Sequence, residues 1–195
     1  MTAAAGYDAV VLAGGSARRL GGADKPGLRV GGLPMLDRVL AACAGAGRTV
    51  VVGPQRATSR PVHWVREQPP GGGPVAAIAA ALPQVTAGTM LLLAADLPFF
   101  DAASAARLCA ALTPGVAAAV LIDPDGREQP LAAAYRTDAV RAALELLPDP
   151  SGVPLRRLVG GLPTSRLPDR AGAAADCDTW DDVERARARA RSRAD

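Results

Sequence analysis

The sequence predicts an α/β protein: helices on both sides of a mostly parallel sheet that also contains an antiparallel strand. Three observations support this. Short apolar runs alternate with helical patterns along the chain. The length of 195 residues suits one domain. Only 3% of the residues are aromatic although 49% are hydrophobic, so Ala, Val and Leu must build a tightly packed core.

The first half of the chain alternates strand and helix. Residues 9–13 form an apolar strand that leads into a loop rich in glycine and arginine. A short hairpin turning at Gly31-Gly32 follows, and Pro34 begins a helix. Residues 49–53 and 62–67 are predicted strands. A glycine-rich passage, 68–74, then precedes an alanine-rich helix at 75–82, and before any resemblance is considered it fits a nucleotide contact and a plain loop equally well.

In the second half, an apolar strand is predicted to begin at residue 90 and to place Asp96 at its carboxyl end. Asp101 is the expected N-cap of the next helix. Residues 117–123 and 128–135 are joined by a connection too short for a crossover helix, so the second of these strands should run antiparallel. Helices are expected at 137–147 and 153–159. Thr179 should cap a last helix, with Asp182 as its acidic partner. We expect a single domain, with residues 184–195 as a basic, solvated or frayed tail.

The loop after the first strand has the composition of a polyphosphate site. Gly14 and Gly15 lack a Cβ, so an anion can approach their N–H groups closely. Arg18, Arg19 and Lys25 add positive charge within a short distance along the chain. Neither a Walker A loop nor a G-x-G-x-x-G dinucleotide fingerprint is present. The loop is therefore predicted to bind a nucleotide in another way.

Lys25 is the only lysine of the chain. A compact ammonium can follow a phosphoryl oxygen through a reaction, which a planar guanidinium does less well. The alternative is a surface lysine without a role. Asp96 is a further candidate, because a carboxylate at the end of a buried strand is a common metal or substrate ligand.

Composition excludes several classes of protein. The net charge of +3 comes largely from terminal arginines spaced two apart, which spread around a helix and do not suggest nucleic-acid binding. Three scattered cysteines and one histidine give no zinc or disulfide pattern. Without a cationic leader or a long apolar run, we expect a cytoplasmic protein with no membrane partner.

The segment Leu12-Ala-Gly-Gly-Ser-Ala-Arg-Arg-Leu-Gly-Gly-Ala-Asp-Lys25 resembles the signature of the MobA-like nucleotidyltransferases, most closely that of the molybdenum cofactor guanylyltransferases. The resemblance implies the Rossmann-like α/β/α fold of nucleotide-diphospho-sugar transferases. It also implies transfer of GMP from GTP to the terminal phosphate of molybdopterin, with Mg²⁺ as cofactor and pyrophosphate as product. Transient contact with proteins that deliver or accept the cofactor would fit this role.

The resemblance assigns roles residue by residue. Arg19, Lys25 and Asp96 would be catalytic, Asp96 and Asp178 would bind the metal, and Arg127 and Gln129 would contact the acceptor phosphate, although an exposed turn explains the last two equally well. The expected nucleotide-binding residues are Leu12, Ala13, Gly14, Gly15, Ser16, Lys25, Gly53, Glu67, Gly73 and Asp96.

The chain departs from the family pattern at the base and metal sites. Gly53 stands where an asparagine is usual, Glu67 replaces an aspartate, and Asp176 and Asp178 replace two asparagines. A carboxylate binds a hard cation at least as readily as an amide oxygen does. Alternatives are a CTP-dependent molybdopterin cytidylyltransferase, another small-phosphate nucleotidyltransferase, or a non-catalytic nucleotide-binding regulatory module.

Overall fold

The computed structural model describes residues 6–15 and 20–193. The strands are β1 (Asp8–Leu12), β2 (Arg29–Val30), β3 (Leu33–Pro34), β4 (Thr49–Val52), β5 (His63–Val65), β6 (Thr89–Ala94), β7 (Ala118–Ile122), β8 (Glu128–Arg136) and β9 (Thr164–Pro168). The α-helices are α1 (Met35–Ala42), α2 (Gly73–Ala81), α3 (Ala102–Ala110), α4 (Thr137–Glu145), α5 (Leu155–Val159) and α6 (Trp180–Arg191). Short 3₁₀ turns occupy Lys25–Gly27 and Leu82–Gln84.

Seven of the strands form one sheet in the order β5-β4-β1-β6-β8-β7-β9. Strands β5, β4, β1 and β6 are parallel to one another, and β8 runs antiparallel to both β6 and β7. The carboxyl ends of β1, β4 and β6 therefore meet at one edge of the sheet, beside the start of β8. This arrangement confirms the predicted α/β architecture with its antiparallel strand.

Helices cover both faces of the sheet, because the central strands are apolar on both sides. In β6, Leu91 and Leu93 pack in the same core as α1 and α3. Leu92 belongs to the opposite core, with residues of α2, α4 and α5. Many sheet positions are alanine, as at Ala133 and Ala134, which lets the helices approach closely.

A buried carboxylate fixes the start of β1. Asp8 is 2% exposed, and its oxygens accept hydrogen bonds from the backbone N–H groups of Arg48, Thr86 and Ala87 at 2.7–2.9 Å. A fourth bond comes from the Thr86 hydroxyl at 3.2 Å. The carboxylate thus ties the start of β1 to the loops that precede β4 and β6, and it satisfies N–H groups that would otherwise lack partners.

Local sequence signals account for several boundaries. Gly31 and Gly32 have positive φ angles in the hairpin between β2 and β3, as predicted. The Asp101 side chain accepts a hydrogen bond from the Ser104 N–H at the start of α3, which confirms the predicted N-cap. Thr179 and Asp182 form the predicted capping box of α6.

The strand β9 was not predicted, although it pairs in parallel with β7 from Ala118 to Ile122. For residues 184–195 the expectation was a solvated or frayed tail, and of these alternatives fraying does not occur as far as α6 extends, to Arg191. Contacts of Arg189 hold the C-terminal part of α6 against the rest of the protein. Its guanidinium donates to the carbonyl oxygens of Ala171 and Gly172 and lies 3.8 Å from the centre of the Phe99 ring.

Candidate active site

A cleft of about 810 Å³ lies at the carboxyl ends of the parallel strands. In open α/β sheets this edge is where ligands bind. Its lining includes Leu12, Gly14 and Gly15 from the end of β1 and the loop that follows, and Val52 from the end of β4. Gly73, Pro74 and Ala77 of α2 form another wall. The remaining lining residues include Lys25, Pro26, Glu67, Gly71, Ala94, Ala95, Asp96, Leu131 and Asp178.

Lys25 joins two carboxylates inside the cleft. Its Nζ forms ion pairs with Asp96 Oδ2 and, at 2.5 Å, with Asp178 Oδ1. The Lys25 and Asp96 side chains are only 17% and 14% exposed. Burial alone would lower the pKa of Lys25, but the attraction of Asp96 and Asp178 outweighs it and raises the pKa above its usual value. Lys25 therefore carries a full positive charge at neutral pH.

Asp176 brings a third carboxylate to the same place. One oxygen each of Asp96, Asp176 and Asp178 lies within 4.8 Å of the others, and we call these three residues the carboxylate cluster. Asp176 is exposed on its outer side, but partial desolvation of its carboxyl group, followed by repulsion from Asp178 and Asp96, raises the pKa of Asp176. Asp96 Oδ1 is buried and has no hydrogen-bond partner in the described part of the chain.

This arrangement suits a hard divalent cation. Mg²⁺ prefers carboxylate oxygens, and the cluster offers three of them. A cation would also satisfy the buried Asp96 Oδ1. The predicted metal residues Asp96 and Asp178 are thus brought together. Asp176 was not predicted as a ligand, and its spacing of two from Asp178 was the signal that could have indicated it.

The capping box of α6 helps to fix the position of Asp178, which lies just before the helix. Thr179 accepts from the Asp182 N–H, and Asp182 Oδ2 accepts from the Thr179 N–H at 2.7 Å. The chain entering the helix is therefore fixed one residue after Asp178. Buried Cys177 anchors the other side by packing in a small core with Phe99 and Val183. Asp176 and Asp178 flank this cysteine and are both exposed at the cluster.

Glu67 also belongs to the lining of the cleft. It is 9% exposed, and its Oε1 accepts a hydrogen bond from the Gly71 N–H at 3.0 Å. Its other oxygen is buried without a partner among residues 6–15 and 20–193. Gly73 begins α2 with a φ of +87°, a conformation that favours glycine. Both predicted residues line the cleft.

Gly53 has a different location from the one expected of a nucleotide contact. It does not line the cleft but lies behind the loop that does. A Cβ at Gly53 would come within 2.9 Å of the backbone carbon and oxygen of Ala13 and within 3.0 Å of the Gly14 nitrogen. Its φ is +146°. The backbone at this position therefore leaves no room for the asparagine that the resemblance implies.

Arg127 and Gln129, the predicted acceptor contacts, also lie outside the lining of the cleft. The Gln129 amide donates to Asp123 Oδ2 at 2.8 Å, and the Arg127 N–H donates to Asp123 Oδ1 at 2.9 Å. The donation from Arg127 contributes most to lowering the pKa of Asp123. The Arg127 side chain is 76% exposed and pairs with Asp125. Their acceptor role stays a prediction.

Two further predicted residues, Ser16 and Arg19, lie outside the described residues, as does Arg18. Ala13 is buried directly behind the cleft, with its N–H donating to the Val52 carbonyl at 2.8 Å. Across residues 6–15 and 20–193, none of the helices has the length and apolar character needed to span a membrane.

The fold and the cleft are those of an α/β protein with a candidate ligand and cation site at the strand ends. The model of the MobA-like NTP transferase domain matches residues 9–166. The chain therefore belongs to this nucleotidyltransferase family, as the loop signature predicted.

Relatives extend this result. The chain is 44% identical over 100 residues to a probable molybdenum cofactor guanylyltransferase from Synechococcus elongatus, a match that covers 47% of this chain and 51% of the relative. The chain thus spans about half the length of that relative. It is 36% identical over 153 residues to a molybdenum cofactor guanylyltransferase from Acidiphilium cryptum, with 73% of each chain covered.

A solved structure supports the fold. Molybdopterin-guanine dinucleotide biosynthesis protein A from Archaeoglobus fulgidus superimposes with a TM-score of 0.74 over 95% of this chain and 99% of that chain. The sequence identity is 23%, so this likeness concerns the fold alone. The predicted nucleotide-diphospho-sugar transferase type of fold is confirmed.

Proposed function

We propose that the protein transfers GMP from GTP to the terminal phosphate of molybdopterin, forming the guanine dinucleotide cofactor and pyrophosphate. The observation that carries the proposal is the meeting of Lys25, Asp96 and Asp178 in a cleft lined by Gly14 and Gly15. The names of the relatives give the reaction that this site would serve.

The reaction needs positioning and charge neutralisation more than covalent chemistry. An oxygen of the acceptor phosphate attacks the α-phosphorus of GTP, and the bond to the bridging α–β oxygen breaks. Pyrophosphate leaves with the electron pair of that bond. No protein side chain has to act as a nucleophile.

The chain's own residues have distinct tasks in this scheme. The N–H groups of Gly14 and Gly15 bind the phosphates of the nucleotide. Lys25 leaves its carboxylates and neutralises charge on the departing pyrophosphate, with Arg19 as a second proposed cation. Glu67 lines the wall where the base would lie, and its buried Oε2 has no hydrogen-bond partner among the described residues.

Mg²⁺ is the proposed cofactor. Asp96 and Asp178 would hold it, with Asp176 close enough to contribute a third oxygen. A bound magnesium ion would supply positive charge next to the phosphate oxygens. We further propose that the protein is cytoplasmic and meets the proteins that deliver or accept the cofactor transiently.

The test measures pyrophosphate release with GTP and with CTP, each with Mg²⁺ and molybdopterin. Lys25→Ala should lower release from GTP by about 10²–10³-fold, the effect of losing one preorganised charge at a transition state. Arg170→Ala removes the same charge from an exposed position outside the cleft and should leave the rate unchanged. Removing Mg²⁺ with EDTA should abolish release.

The outcomes separate the alternatives. Release from CTP alone would assign the protein to cytidylyl transfer, which contradicts the proposed nucleotide. Nucleotide binding without release from either would indicate another acceptor or a non-catalytic module. A Lys25→Ala variant as active as Arg170→Ala would contradict the role given to Lys25.

A further inference from the structure

The residue before Lys25 is an aspartate whose side chain has an unusual position. Asp24 precedes the 3₁₀ turn Lys25–Gly27, but its side chain forms no capping hydrogen bond to that turn. The carboxylate instead lies over Gly27, where an added Cβ would come within 2.4 Å of Asp24 Oδ2. Only a glycine at position 27 leaves the carboxylate room to lie there.

Arg56 holds this carboxylate. Its Nη1 forms an ion pair with Asp24 Oδ1, across 32 residues of sequence. The Arg56 side chain is only 20% exposed, and its Nε is shielded from solvent, so the guanidinium is packed into the protein and is not a freely moving surface charge. Such a side chain loses little further entropy when it makes the pair.

The segment that carries Arg56 is itself anchored. It follows β4 and has no regular secondary structure, yet Asp37 Oδ1 accepts a hydrogen bond from the Ser59 N–H at 2.8 Å. Arg60 donates to the Leu40 carbonyl at 3.0 Å. Both contacts attach the segment to α1, so Arg56 extends from a fixed base toward the turn that carries Lys25.

Asp24 places a negative charge next to Lys25, and Arg56 neutralises that charge. Asp24 is bonded directly to Lys25, and Lys25 lines the cleft where a polyphosphate would bind. A bare carboxylate there would repel the phosphates and compete with them for the lysine. Paired with a guanidinium, it contributes no net charge to the phosphate site.

We infer that Arg56 is a positioning residue for the nucleotide. It neutralises the Asp24 carboxylate and holds it in place, and thereby fixes the backbone from which the Lys25 side chain extends into the cleft. The inference rests on the proposed function for the role of Lys25. Arg56 does not line the cleft, so it acts through Asp24 and not by touching the substrate. The turn offers a way to measure this action, because the Gly27 N–H donates to the Asp24 carbonyl and the Leu28 N–H donates to the Lys25 carbonyl, and both bonds should weaken if Asp24 is released.

The first experiment measures equilibrium binding of GTP with Mg²⁺ by calorimetry, without an acceptor. Arg56→Ala should bind GTP about tenfold more weakly, the size expected when one charge-assisted hydrogen bond is lost. Arg56→Ala combined with Asp24→Asn should return to within about threefold of the wild type, since the uncompensated charge is then gone. Arg166→Ala breaks a similar pair, with Glu128, outside the cleft and should have no effect.

Binding data can overturn the inference in two ways. An Arg56→Ala variant that binds GTP like the wild type would refute it. A double variant as weak as Arg56→Ala, or weaker, would show that Arg56 does not act through the charge of Asp24. A merely structural role would lower the affinity of both variants alike and would not produce the rescue.

A second experiment does not depend on the nucleotide. Hydrogen exchange of the Gly27 and Leu28 amides, measured without ligand, should be faster in Arg56→Ala and unchanged in Arg166→Ala. Unchanged exchange in Arg56→Ala would refute the positioning role even if the wild type bound no GTP. If the wild type prefers CTP, the proposed nucleotide fails, and the same variants then test Arg56 with CTP.

Discussion

Replacing Gly53 should damage both the stability of the protein and its nucleotide loop. Gly53 follows β4, and its N–H donates to the Val65 carbonyl at 3.0 Å. A Cβ at this position would lie 2.9 Å from two backbone atoms of Ala13 and 3.0 Å from the Gly14 nitrogen. Backbone atoms cannot rotate away as the end of a side chain can. Either Gly53 or the loop that begins at Ala13 must move.

Two terms set the size of the effect of Gly53→Ala. A non-glycine residue at a φ of +146° costs about 1–3 kcal/mol in backbone strain. The overpacking against Ala13 adds about 1–3 kcal/mol. Together these lower the free energy of unfolding by about 2–6 kcal/mol, which at about 3 °C per kcal/mol for a chain of this size corresponds to a fall in Tm of about 6–18 °C.

Thermal and urea unfolding measure this loss, with Gly161→Ala as the control. A Cβ at Gly161 meets no atom within 4 Å, and its φ is not in the glycine region, so that variant should stay within about 0.5 kcal/mol of the wild type. Because the clash falls on the loop that we propose to bind the phosphates, Gly53→Ala should also weaken GTP binding. A Gly53→Ala variant as stable as Gly161→Ala would refute the steric reasoning. Gly53→Asn should be destabilised at least as much.

Three further predictions concern other parts of the chain. Asp8→Ala leaves buried N–H groups without their acceptor and should lower the free energy of unfolding by about 2–4 kcal/mol, measured by urea unfolding. Burial raises the pKa of Cys43 to about 12, so at pH 8 this thiol stays protonated, and iodoacetamide labelling followed by mass spectrometry should find it unmodified until the protein unfolds. Lys25→Met removes the ammonium that pairs with Asp96 and Asp178 and should strengthen binding of Mn²⁺ without nucleotide about tenfold, as followed by electron paramagnetic resonance; equal or weaker binding would contradict this.

The parts of the fold with strong local signals could be predicted from the sequence. The apolar runs of β1, β4 and β6 are buried on both faces, so no polar residue interrupts their pattern. The capping residues Asp101 and Thr179 act on their own neighbours, and the local sequence therefore contains the whole interaction. Such features need no knowledge of distant contacts.

The strand β9 lacked such a signal. It lies at the edge of the sheet, has an arginine at its centre, and is at most partly buried along its length. Its pairing with β7 supplies the order that its own residues do not encode. A short, polar edge strand is therefore hard to distinguish from a loop in sequence.

The site residues differ in the same way: those with a strong local signal could be predicted, and the others could not. Lys25 and Asp96 were predicted because each follows a recognisable element or motif. Arg127 and Gln129 were expected at the site, but the side chain of Asp123 engages the Arg127 backbone and the Gln129 amide within the same turn. Which of several competing local hydrogen bonds forms depends on the folded backbone. The sequence alone could not decide it.

The meeting of Lys25 with Asp96 follows from the alignment of the strand ends. Leu12 pairs with Val52 on one side and with Ala94 on the other, so β1, β4 and β6 end at the same level. The Ala95 N–H continues this alignment past β6 by donating to the Leu12 carbonyl at 3.0 Å. A slip of the pairing between β1 and β6 would carry the aspartate away from the loop and turn its side chain to the other face. The same hydrogen bonds that build the sheet therefore assemble the candidate cation site, and the position of Lys25 relative to Asp96 depends on the register of the core.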